Sequence, residues 1–272
     1  SLGGELRREE IVSSKLGTPM AKPNGHYTRS DARTIVSATA EHTWTWQRWA
    51  ASAGVMMQHN TLLDGVRFYP SVGLAYRPTD ALKLNATWSR STRMPTFTDL
   101  YYTTETHTAN VGLKPERSES VDLGVTYTQP ALTLRLVGYL MWGRDVIDWV
   151  RDSGTAKWAS WNFTELNKQG LELGATFRPA AIWPSMRGTT LSVDYARMNQ
   201  TCDSHGLESR YSLNYLRDKV TIGLQHPIYR GLTASWHFRA QKRMGNYRRY
   251  ENKKDMGLEP YPAFSTLDLK LN

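Results

Sequence analysis

Cysteine and long apolar runs are both scarce in this sequence. Its 272 residues include a single cysteine, Cys202, and no stretch of about eighteen uninterrupted apolar residues. One cysteine excludes an internal disulfide framework, a redox pair and a thiolate metal site. The missing apolar run excludes an ordinary membrane-spanning helix. A membrane β-barrel is not excluded, because only alternate residues of its strands meet lipid.

Residue patterns typical of enzymes and metal sites are also missing. The seven histidines lack the i, i+4 spacing of a helical zinc site, and no Ser/His/Asp arrangement stands out. His205 lies close after Cys202, but this stretch has the composition of a loop tip, so we predict neither catalysis nor metal binding there. The sequence therefore predicts a protein that is not an enzyme, with no catalytic residue, metal or cofactor.

The net charge of +9 raises nucleic acid as a partner. Lys and Arg are dispersed along the whole chain, however, and no zinc-finger spacing, P-loop or recognition helix accompanies them. We therefore expect no nucleic acid. Anionic lipid head groups, or an anionic solute in a lumen, are the expected counterparts of this charge.

An apolar residue at every second position is the dominant pattern of the chain. In residues 81–90, Leu82, Leu84, Ala86 and Trp88 alternate with Lys83, Asn85, Thr87 and Ser89. Similar alternating runs begin at Val121, Leu132, Leu171 and Leu232. Successive side chains of a strand point to opposite faces, so each run predicts a strand with one apolar and one polar face.

Several of these runs are long for a soluble protein. The segments 118–128, 132–150, 207–225 and 232–249 exceed the five or six residues usual for a sandwich strand and suit the roughly nine to eleven of a tilted bilayer crossing. The polar phase carries Arg135, Glu172, Arg178 and Arg239. We place this phase toward the lumen, because a lipid-facing Arg near mid-bilayer costs about 2–4 kcal/mol.

Tryptophan and tyrosine are abundant, with ten and fourteen residues against six phenylalanines. Both favour the membrane–water boundary. Trp44, Trp46 and Trp49 surround the tight link at 47–48, and a second group, Trp142, Trp149, Trp158 and Trp161, flanks a link near 153–154. This placement indicates aromatic belts, with core aromatics or protein-binding anchors as the alternative.

The polar links between the runs alternate between short and long. The short ones lie at 47–48, 77–80, 129–131 and 226–231, and the long ones at 12–27, 60–65, 94–117, 151–157, 203–206 and 251–262. The link 179–188 falls on the short side but is longer than its neighbours. Short turns face the periplasm and long loops face outside in bacterial outer-membrane barrels. The fold prediction is therefore an all-β antiparallel transmembrane barrel with about twelve strands, the first and third running outward and the last inward.

Two stretches, read together, carry a resemblance to a known family. They are residues 88–102, WSRSTRMPTFTDLYY, and residues 113–124, LKPERSESVDLG. This pairing resembles TonB-dependent outer-membrane receptors midway through the barrel, and residues 167–173 are similarly familiar. Among subfamilies the chain looks most like the vitamin B12 (cobalamin) receptors of the Bacteroides type. Within the motif we expect structural roles for Arg93, Pro95, Thr96, Asp99, Leu100, Tyr101, Pro115 and Glu116.

The resemblance implies a function for the complete receptor in the outer membrane of a Gram-negative bacterium. A scarce solute too large for porins, such as cobalamin or a related corrinoid, would be bound outside and imported with energy from TonB. A ferric siderophore or haem is the alternative ligand. The outer loops would bind it, with Tyr101, Tyr102, His107, Trp149, Arg151, Trp158 and Trp161 as candidates. Outer-membrane lipid and lipopolysaccharide would surround the wall.

The resemblance covers essentially the whole chain, residues 1–272, but implies that this is one part of such a receptor. Family members place a plug domain inside a 22-stranded barrel. We expect this chain to supply about the ninth to the twentieth strands, with the plug, a signal peptide, the early strands and the last strands lying elsewhere. A passive porin, a soluble β-sandwich module and an adhesive surface barrel remain as alternatives, and a hydrolytic barrel enzyme is the least favoured.

Overall fold

The computed structural model describes residues 1–62, 65–152, 157–163, 165–202, 206–211, 214–252 and 254–272. In chain order the elements are β1 (Leu2–Ser13), β2 (Thr18–Asn24), β3 (Tyr27–Trp46), β4 (Trp49–Asn60), β5 (Val66–Tyr76), β6 (Leu82–Arg93), α1 (Phe97–Tyr101), β7 (His107–Thr108), β8 (Glu116–Thr128), β9 (Leu132–Arg144), β10 (Val146–Arg151), β11 (Trp158–Phe163), β12 (Leu166–Phe177), two 3₁₀ turns (Pro179–Ala181 and Pro184–Met186), β13 (Thr190–Cys202), β14 (Glu208–Ser209), β15 (Leu216–Tyr229), β16 (Leu232–Arg243), β17 (Asn246–Glu251), β18 (Lys254–Pro260) and β19 (Phe264–Leu271).

One antiparallel sheet holds all the long strands. Its order is β1-β3-β4-β5-β6-β8-β9-β12-β13-β15-β16-β19, and β2 pairs with β3 beside this path. Every long strand thus pairs with the long strand before it in the sequence, which is the meander of an up-and-down barrel wall. The prediction of an all-β antiparallel fold with about twelve strands is confirmed. A single sheet of this size differs from the two stacked sheets of a sandwich.

Cross-strand rows confirm the predicted alternation of faces. One row runs through Leu84, Val125, Leu136, Leu173 and Tyr195, which are direct neighbours on successive strands. An adjacent row on the opposite face runs through Lys83, Thr126, Arg135, Gly174, Asp194, Thr221 and Arg239. The rest of the described chain leaves the apolar face exposed, with Leu123 59% exposed. Such a continuous apolar face suits contact with lipid.

The aromatic group at the first tight turn lies at one rim of the sheet. Trp46 and Trp49 face each other across the turn, and the ring of Trp49 stacks on Tyr76 at 4.1 Å between centroids. Gln47 has a positive φ of 48°, which lets two residues reverse the chain. In the second group, Trp149 is only 5% exposed and packs within the loops. Trp149 is therefore not part of a lipid-facing belt.

Three predicted strands are shorter than expected because each is interrupted. Segment 132–150 divides into β9 and β10 at Asp145, whose φ is 55°, and segment 232–249 divides into β16 and β17 next to Gly245, whose φ is 95°. Segment 207–225 divides into β14 and β15. A left-handed residue turns the strand out of the sheet although the apolar alternation continues. Conversely, β15 extends through the predicted link at 226–231 and leaves only Arg230 and Gly231 in the turn.

The links at one rim are 47–48, 77–81, 129–131, 178–189 and 230–231. At the other rim, the link 14–26 holds β2, and the links after β6, β9, β13 and β16 hold α1, β7, β10, β11, β14, β17 and β18. The predicted long link at 60–65 is shorter than the others on its rim, since β4 and β5 leave only 61–65 between them. The predicted link centre at 153–154 and the positions 203–205 lie outside the described residues. No helix in the described ranges has the length and apolar character needed to cross a membrane.

A cluster of buried apolar side chains lies in the long links of the described chain. Leu100, Leu113 and Ile147 form this core, and Tyr101 packs against it. Ile147 belongs to β10 of a four-stranded sheet in the order β14-β10-β11-β7. The long links are therefore a folded cap at one rim of the wall, and we call this cap the loop domain.

Candidate functional site

The loop that follows β6 begins with a capped helix. Thr96 accepts a hydrogen bond from the Asp99 amide at 3.1 Å, and Asp99 accepts one from the Thr96 amide at 3.0 Å. This reciprocal capping box satisfies amides that a five-residue helix cannot satisfy internally. Arg93 lies beside it, 3.7 Å from the Asp99 carboxylate and 2.5 Å from that of Glu116. Both ends of the loop thus meet at one guanidinium group.

Two side chains of β3 hold this loop against the inner face of the wall. Arg33 donates to Glu9 at 2.5 Å and to the Pro95 carbonyl at 2.6 Å, and lies 5.1 Å from the centre of the Phe97 ring. The Tyr101 hydroxyl donates to Asp31 at 2.5 Å. Burial and this hydrogen bond raise the pKa of Tyr101 to about 12. The loop after β6 is therefore anchored to β3, across β4 and β5.

The loop after β9 is joined to the loop after β6 by buried polar contacts. Ser160, which is 1% exposed, donates to the Asp99 carbonyl at 2.7 Å and accepts from the Asn110 amide at 2.8 Å. Asn162 exchanges two hydrogen bonds of 2.8 Å with the backbone of Lys114. The two loops consequently form one packed body.

Asp148 joins a third segment to this body. It is 1% exposed, and its carboxylate accepts from the Trp149 amide at 2.7 Å, from the Tyr211 amide and from the Ser209 hydroxyl. A buried carboxylate is tolerated when several donors surround it. These contacts hold β14 beside β10, so the described part of the loop after β13 also belongs to the loop domain.

Three of the residues predicted to bind ligand form one aromatic cluster. The His107 ring centre lies 5.4 Å from that of Tyr102 and 5.1 Å from that of Trp149, and all three pairs meet edge to face. Arg210 donates to His107 Nε2 at 2.7 Å. A guanidinium group only donates, so Nε2 is the acceptor nitrogen of this ring. The Arg210 contact was not predicted from the sequence.

Arg151 and Trp158 form a second group with partners that the sequence did not indicate. Arg151 lies 4.5 Å from the centre of the Trp158 ring and pairs with Glu208 at 2.7 Å. The other Glu208 oxygen accepts from Arg248 at 2.8 Å, and Arg248 also pairs with Asp255 at 2.5 Å. This chain of charges links β10, β14 and the β17–β18 hairpin.

A cavity of about 380 Å³ opens between the four-stranded sheet and the β17–β18 hairpin. Its lining includes Arg151, Trp158, Glu208, Arg210, Tyr247, Arg248 and Tyr261. Aromatic faces and guanidinium donors thus converge on one space. Of the residues predicted to bind ligand, Arg151 and Trp158 line this cavity, and the Tyr102, His107 and Trp149 cluster adjoins it through Arg210.

Two predicted ligand contacts lie elsewhere. Tyr101 packs on the loop core and is bonded to Asp31. Trp161 is 54% exposed, pairs across the hairpin with Asp148 and does not line the cavity. The placement of Trp161 follows from strand geometry, because neighbouring strand residues point to opposite faces and Trp158 and Trp161 of β11 are an odd number of residues apart.

In the described part of the chain, no group of three or more His, Cys, Asp or Glu side chains is placed to hold a metal ion. Cys202 ends β13 beside Leu166 of β12. His205 lies outside the described residues.

Acidification is expected to loosen the loop domain at His107. Burial, with the nearby Arg210 charge, lowers the pKa of His107 below its ordinary 6.5. The neutral ring is therefore favoured in the folded loops, and its contribution to stability is present above pH 6.5 and lost as pH falls through the lowered pKa. Limited proteolysis of the outer loops at decreasing pH measures this, and His107→Gln should flatten the response. An unchanged pH response in that variant would assign it to another group.

The fold is that of a transmembrane β-barrel wall of the bacterial outer-membrane type. It has long amphipathic strands in one meander, short turns at one rim and a folded loop domain at the other. A family model described as "TonB dependent receptor-like, beta-barrel" matches residues 2–272. The chain belongs to this family of TonB-dependent receptors, which are proteins of the Gram-negative outer membrane.

Similar proteins are found at the level of both sequence and structure. The vitamin B12 transporter BtuB of Vibrio vulnificus is 29% identical over 112 residues, which are 41% of this chain and 18% of that protein. The vitamin B12 transporter BtuB of Photobacterium profundum is 26% identical over 161 residues, covering 58% of this chain and 26% of that protein.

Among solved structures, the siderophore receptor PirA from Acinetobacter baumannii has a TM-score of 0.73 at 13% identity, covering 99% of this chain and 45% of its own. The FrpB iron transporter from Neisseria meningitidis (F3-3 variant) has a TM-score of 0.70 at 14% identity, covering 98% of this chain and 44% of the transporter. At such identities the likeness concerns the fold alone. The chain spans less than half of each of these four proteins.

Proposed function

We propose that this chain forms part of the wall and outer binding site of a receptor that imports cobalamin or a related corrinoid. The observation that carries this proposal is the sequence similarity to two vitamin B12 transporters, at 29% and 26% identity. The structural neighbours named for iron and siderophores are 13% and 14% identical, so they do not favour a ligand.

The loop cavity has chemistry that suits such a solute. A corrinoid has a broad ring, a rim of amide groups and, in cobalamin, one phosphodiester. Trp158, Tyr247 and Tyr261 offer aromatic faces, which cover apolar area at low entropic cost. Arg151 and Arg210 offer donors for amide oxygens and phosphate. The Tyr102, His107 and Trp149 cluster would support this lining from behind.

The remaining parts of the proposal concern the whole receptor. Import would draw energy from TonB through a plug domain, and residues 1–272 would supply about the ninth to the twentieth of 22 strands. The role is binding and transport and not catalysis, so no residue is assigned as nucleophile, acid or base. Arg93, Pro95, Thr96, Asp99, Leu100, Tyr101, Pro115 and Glu116 would shape the loop without touching the solute.

Lipid contacts follow from the apolar face and its outer edge. Beyond the apolar rows, Arg90 pairs with Glu119 at 2.7 Å and Arg117 pairs with Asp145 at 2.6 Å. Arg144 lies 3.7 Å from Glu165 and is 72% exposed at its side chain. We propose that lipopolysaccharide head groups meet the wall at this level, where charged side chains replace apolar ones.

Matched tryptophan variants of the full-length receptor test the binding site. Trp158→Ala removes an aromatic face from the cavity, and we expect cobalamin affinity to fall about tenfold, equal to about 1.4 kcal/mol. Trp161→Ala, on the same strand but outside the cavity, should change affinity less than about twofold. Titration of cyanocobalamin by calorimetry measures both.

Two results would contradict the proposal in different ways. Equal losses in the two variants would remove the cavity as the site. Tight binding of a ferric siderophore by the unmodified receptor, without binding of cobalamin, would replace the ligand while leaving the receptor class intact.

A further inference from the structure

The link between β12 and β13 is unlike the other links on the short-turn rim. It occupies 178–189, whereas the neighbouring turns on this rim occupy 129–131 and 230–231. It folds into two 3₁₀ turns, Pro179–Ala181 and Pro184–Met186. Gly188 ends the link with a φ of 81°, and a side chain there would contact Pro227 of β15. The link is thus a compact element packed against the neighbouring strand.

The link carries exposed apolar side chains on the lipid side of the wall. Ile182 and Trp183 are 54% and 52% exposed. The Trp183 ring lies 6.3 Å from the Phe177 ring, and Phe177 shares the outward phase of Leu171 and Leu173. Trp183 therefore continues the apolar face just beyond its last row. Ile228 and Tyr229 are also exposed, and they follow Pro227, the β15 residue that lies against the link at Gly188.

Much of the backbone of the link is hydrogen-bonded internally. The amides of Ala181, Ile182, Trp183, Met186, Arg187 and Thr189 donate to carbonyls within the link at 2.7 to 3.3 Å. Pro179 and Pro184 have no amide hydrogen to satisfy. Internal hydrogen bonding of this kind lowers the cost of placing a segment at the poorly hydrated boundary of a bilayer.

The charges around the link have a single sign. Arg178, Arg187 and Arg230 are the ionised side chains of residues 178–189 and 226–233, and these segments contain no Asp or Glu. Within the described residues none of the three forms a salt bridge, although the Arg178 guanidinium lies 3.5 Å from the Thr133 hydroxyl and Arg230 lies over the Tyr229 ring. At the outer rim, by contrast, Arg90, Arg117 and Arg144 each have an acidic partner.

We propose that this surface is an interfacial anchor that binds anionic phospholipid head groups in the periplasmic leaflet. We define it as the short-turn patch, formed by Ile182, Trp183, Met186, Ile228 and Tyr229 with Arg187 and Arg230. Arg178 is not part of it, because Arg178 lies in the polar, lumen-facing phase of β12 and contacts Thr133 of that same phase. Its apolar side chains enter the acyl boundary, and its guanidinium groups meet phosphate at head-group level. The proposal depends on membership of the outer-membrane family and is independent of which solute the receptor imports.

Depth of the link in the membrane is the first test. Both label sites are introduced in the full-length receptor with Cys202 and any other cysteine replaced. Ser185→Cys places one site in the link, and Asp80→Cys places the other in another turn on the same rim. Each variant receives an environment-sensitive fluorophore. The receptors are reconstituted in nanodiscs of phosphatidylcholine with phosphatidylglycerol. We expect lipids brominated on the acyl chains to quench the label at 185, and aqueous iodide to quench the label at 80.

Charge selectivity is the second test. Native mass spectrometry of the same full-length receptor, released from the nanodiscs, counts retained phosphatidylglycerol against phosphatidylcholine. One Arg near an anionic surface corresponds to about fivefold in affinity, so Arg187→Gln and Arg230→Gln together should abolish the preference. The two corresponding Lys substitutions keep the charge and should retain the preference, which separates loss of charge from loss of fold. Arg178→Gln, on the luminal face, is the control and should leave the preference unchanged.

The outcomes are distinct. Iodide quenching at 185 equal to that at 80 would overturn the interfacial anchor. Shielding at 185 without a preference for phosphatidylglycerol, or a preference that survives Arg187→Gln with Arg230→Gln, would overturn the head-group assignment. Failure in either test leaves cobalamin titration unaffected, so it is distinguishable from failure of the proposed import function.

Discussion

Glu208→Ala is expected to open the loop domain and to weaken solute binding more than any other single change on the cavity lining. Glu208 bridges Arg151 and Arg248, at 2.7 and 2.8 Å. Its removal leaves two guanidinium groups facing each other across an empty carboxylate position. The Arg151 and Glu208 side chains are 20% and 19% exposed, so loss of this pair alone costs about 2 kcal/mol after allowance for solvent screening.

The measurement is the rate of proteolytic cleavage in the outer loops of the folded receptor, together with solute affinity. A loss of about 2 kcal/mol corresponds to roughly thirtyfold in either equilibrium. Glu251→Ala is the matched control, because Glu251 pairs only with Arg249 among the described residues and its side chain is 52% exposed. If the two variants behave alike, Glu208 does not hold the loops together.

Arg33→Met is expected to detach the loop after β6 from the wall. Arg33 is 8% exposed, and its guanidinium serves Glu9, the Pro95 carbonyl and the Phe97 ring together. Methionine preserves much of the length of the side chain but leaves the Glu9 carboxylate with Arg7 alone, at 3.2 Å. The Glu9 side chain is 28% exposed, so we expect a loss of about 2 kcal/mol, below the roughly 3–5 kcal/mol of a fully buried pair. Urea unfolding in lipid vesicles measures this loss.

Two further variants define the cause of that loss. Arg33→Met combined with Glu9→Gln should recover part of the stability, because the Glu9 carboxylate that has lost Arg33 is then replaced by a neutral amide. Arg90→Met removes a pair of similar length with Glu119, but both partners are nearly half exposed, and we expect less than about 1 kcal/mol. Equal destabilisation by Arg33→Met and Arg90→Met would refute the buried anchor.

The wall was predictable from the sequence because its organising signal is local. Alternation at every second residue sets which face is apolar, and hairpin connection sets which strands are neighbours. The row from Leu84 to Tyr195 follows from these two facts alone. Strand ends were less predictable. The apolar pattern continues through Asp145, where a single left-handed residue sends β10 out of the sheet.

The loop domain was only partly predictable, because its contacts join residues distant in sequence. The sequence indicated Tyr102 and His107 as candidates in one loop and Trp149 in another, but gave no sign that the three rings meet. Arg33 and Pro95 lie 62 residues apart, and Arg151 and Glu208 lie 57 apart. A charged residue in a long polar link resembles a solvated one until its partner is known, so Glu208, Arg210 and Arg248 gave no signal.

The buried contacts of Ser160 and Asn162 constrain how the outer surface of this receptor can be altered. The carbonyl of Asp99 and the backbone of Lys114 are held by side chains from the other loop, so the segments 94–115 and 145–165 share one interface. A graft that transplants either segment alone from a relative would present mismatched surfaces. We therefore expect a loop exchange between receptors of this type to fold only when both segments are transferred together.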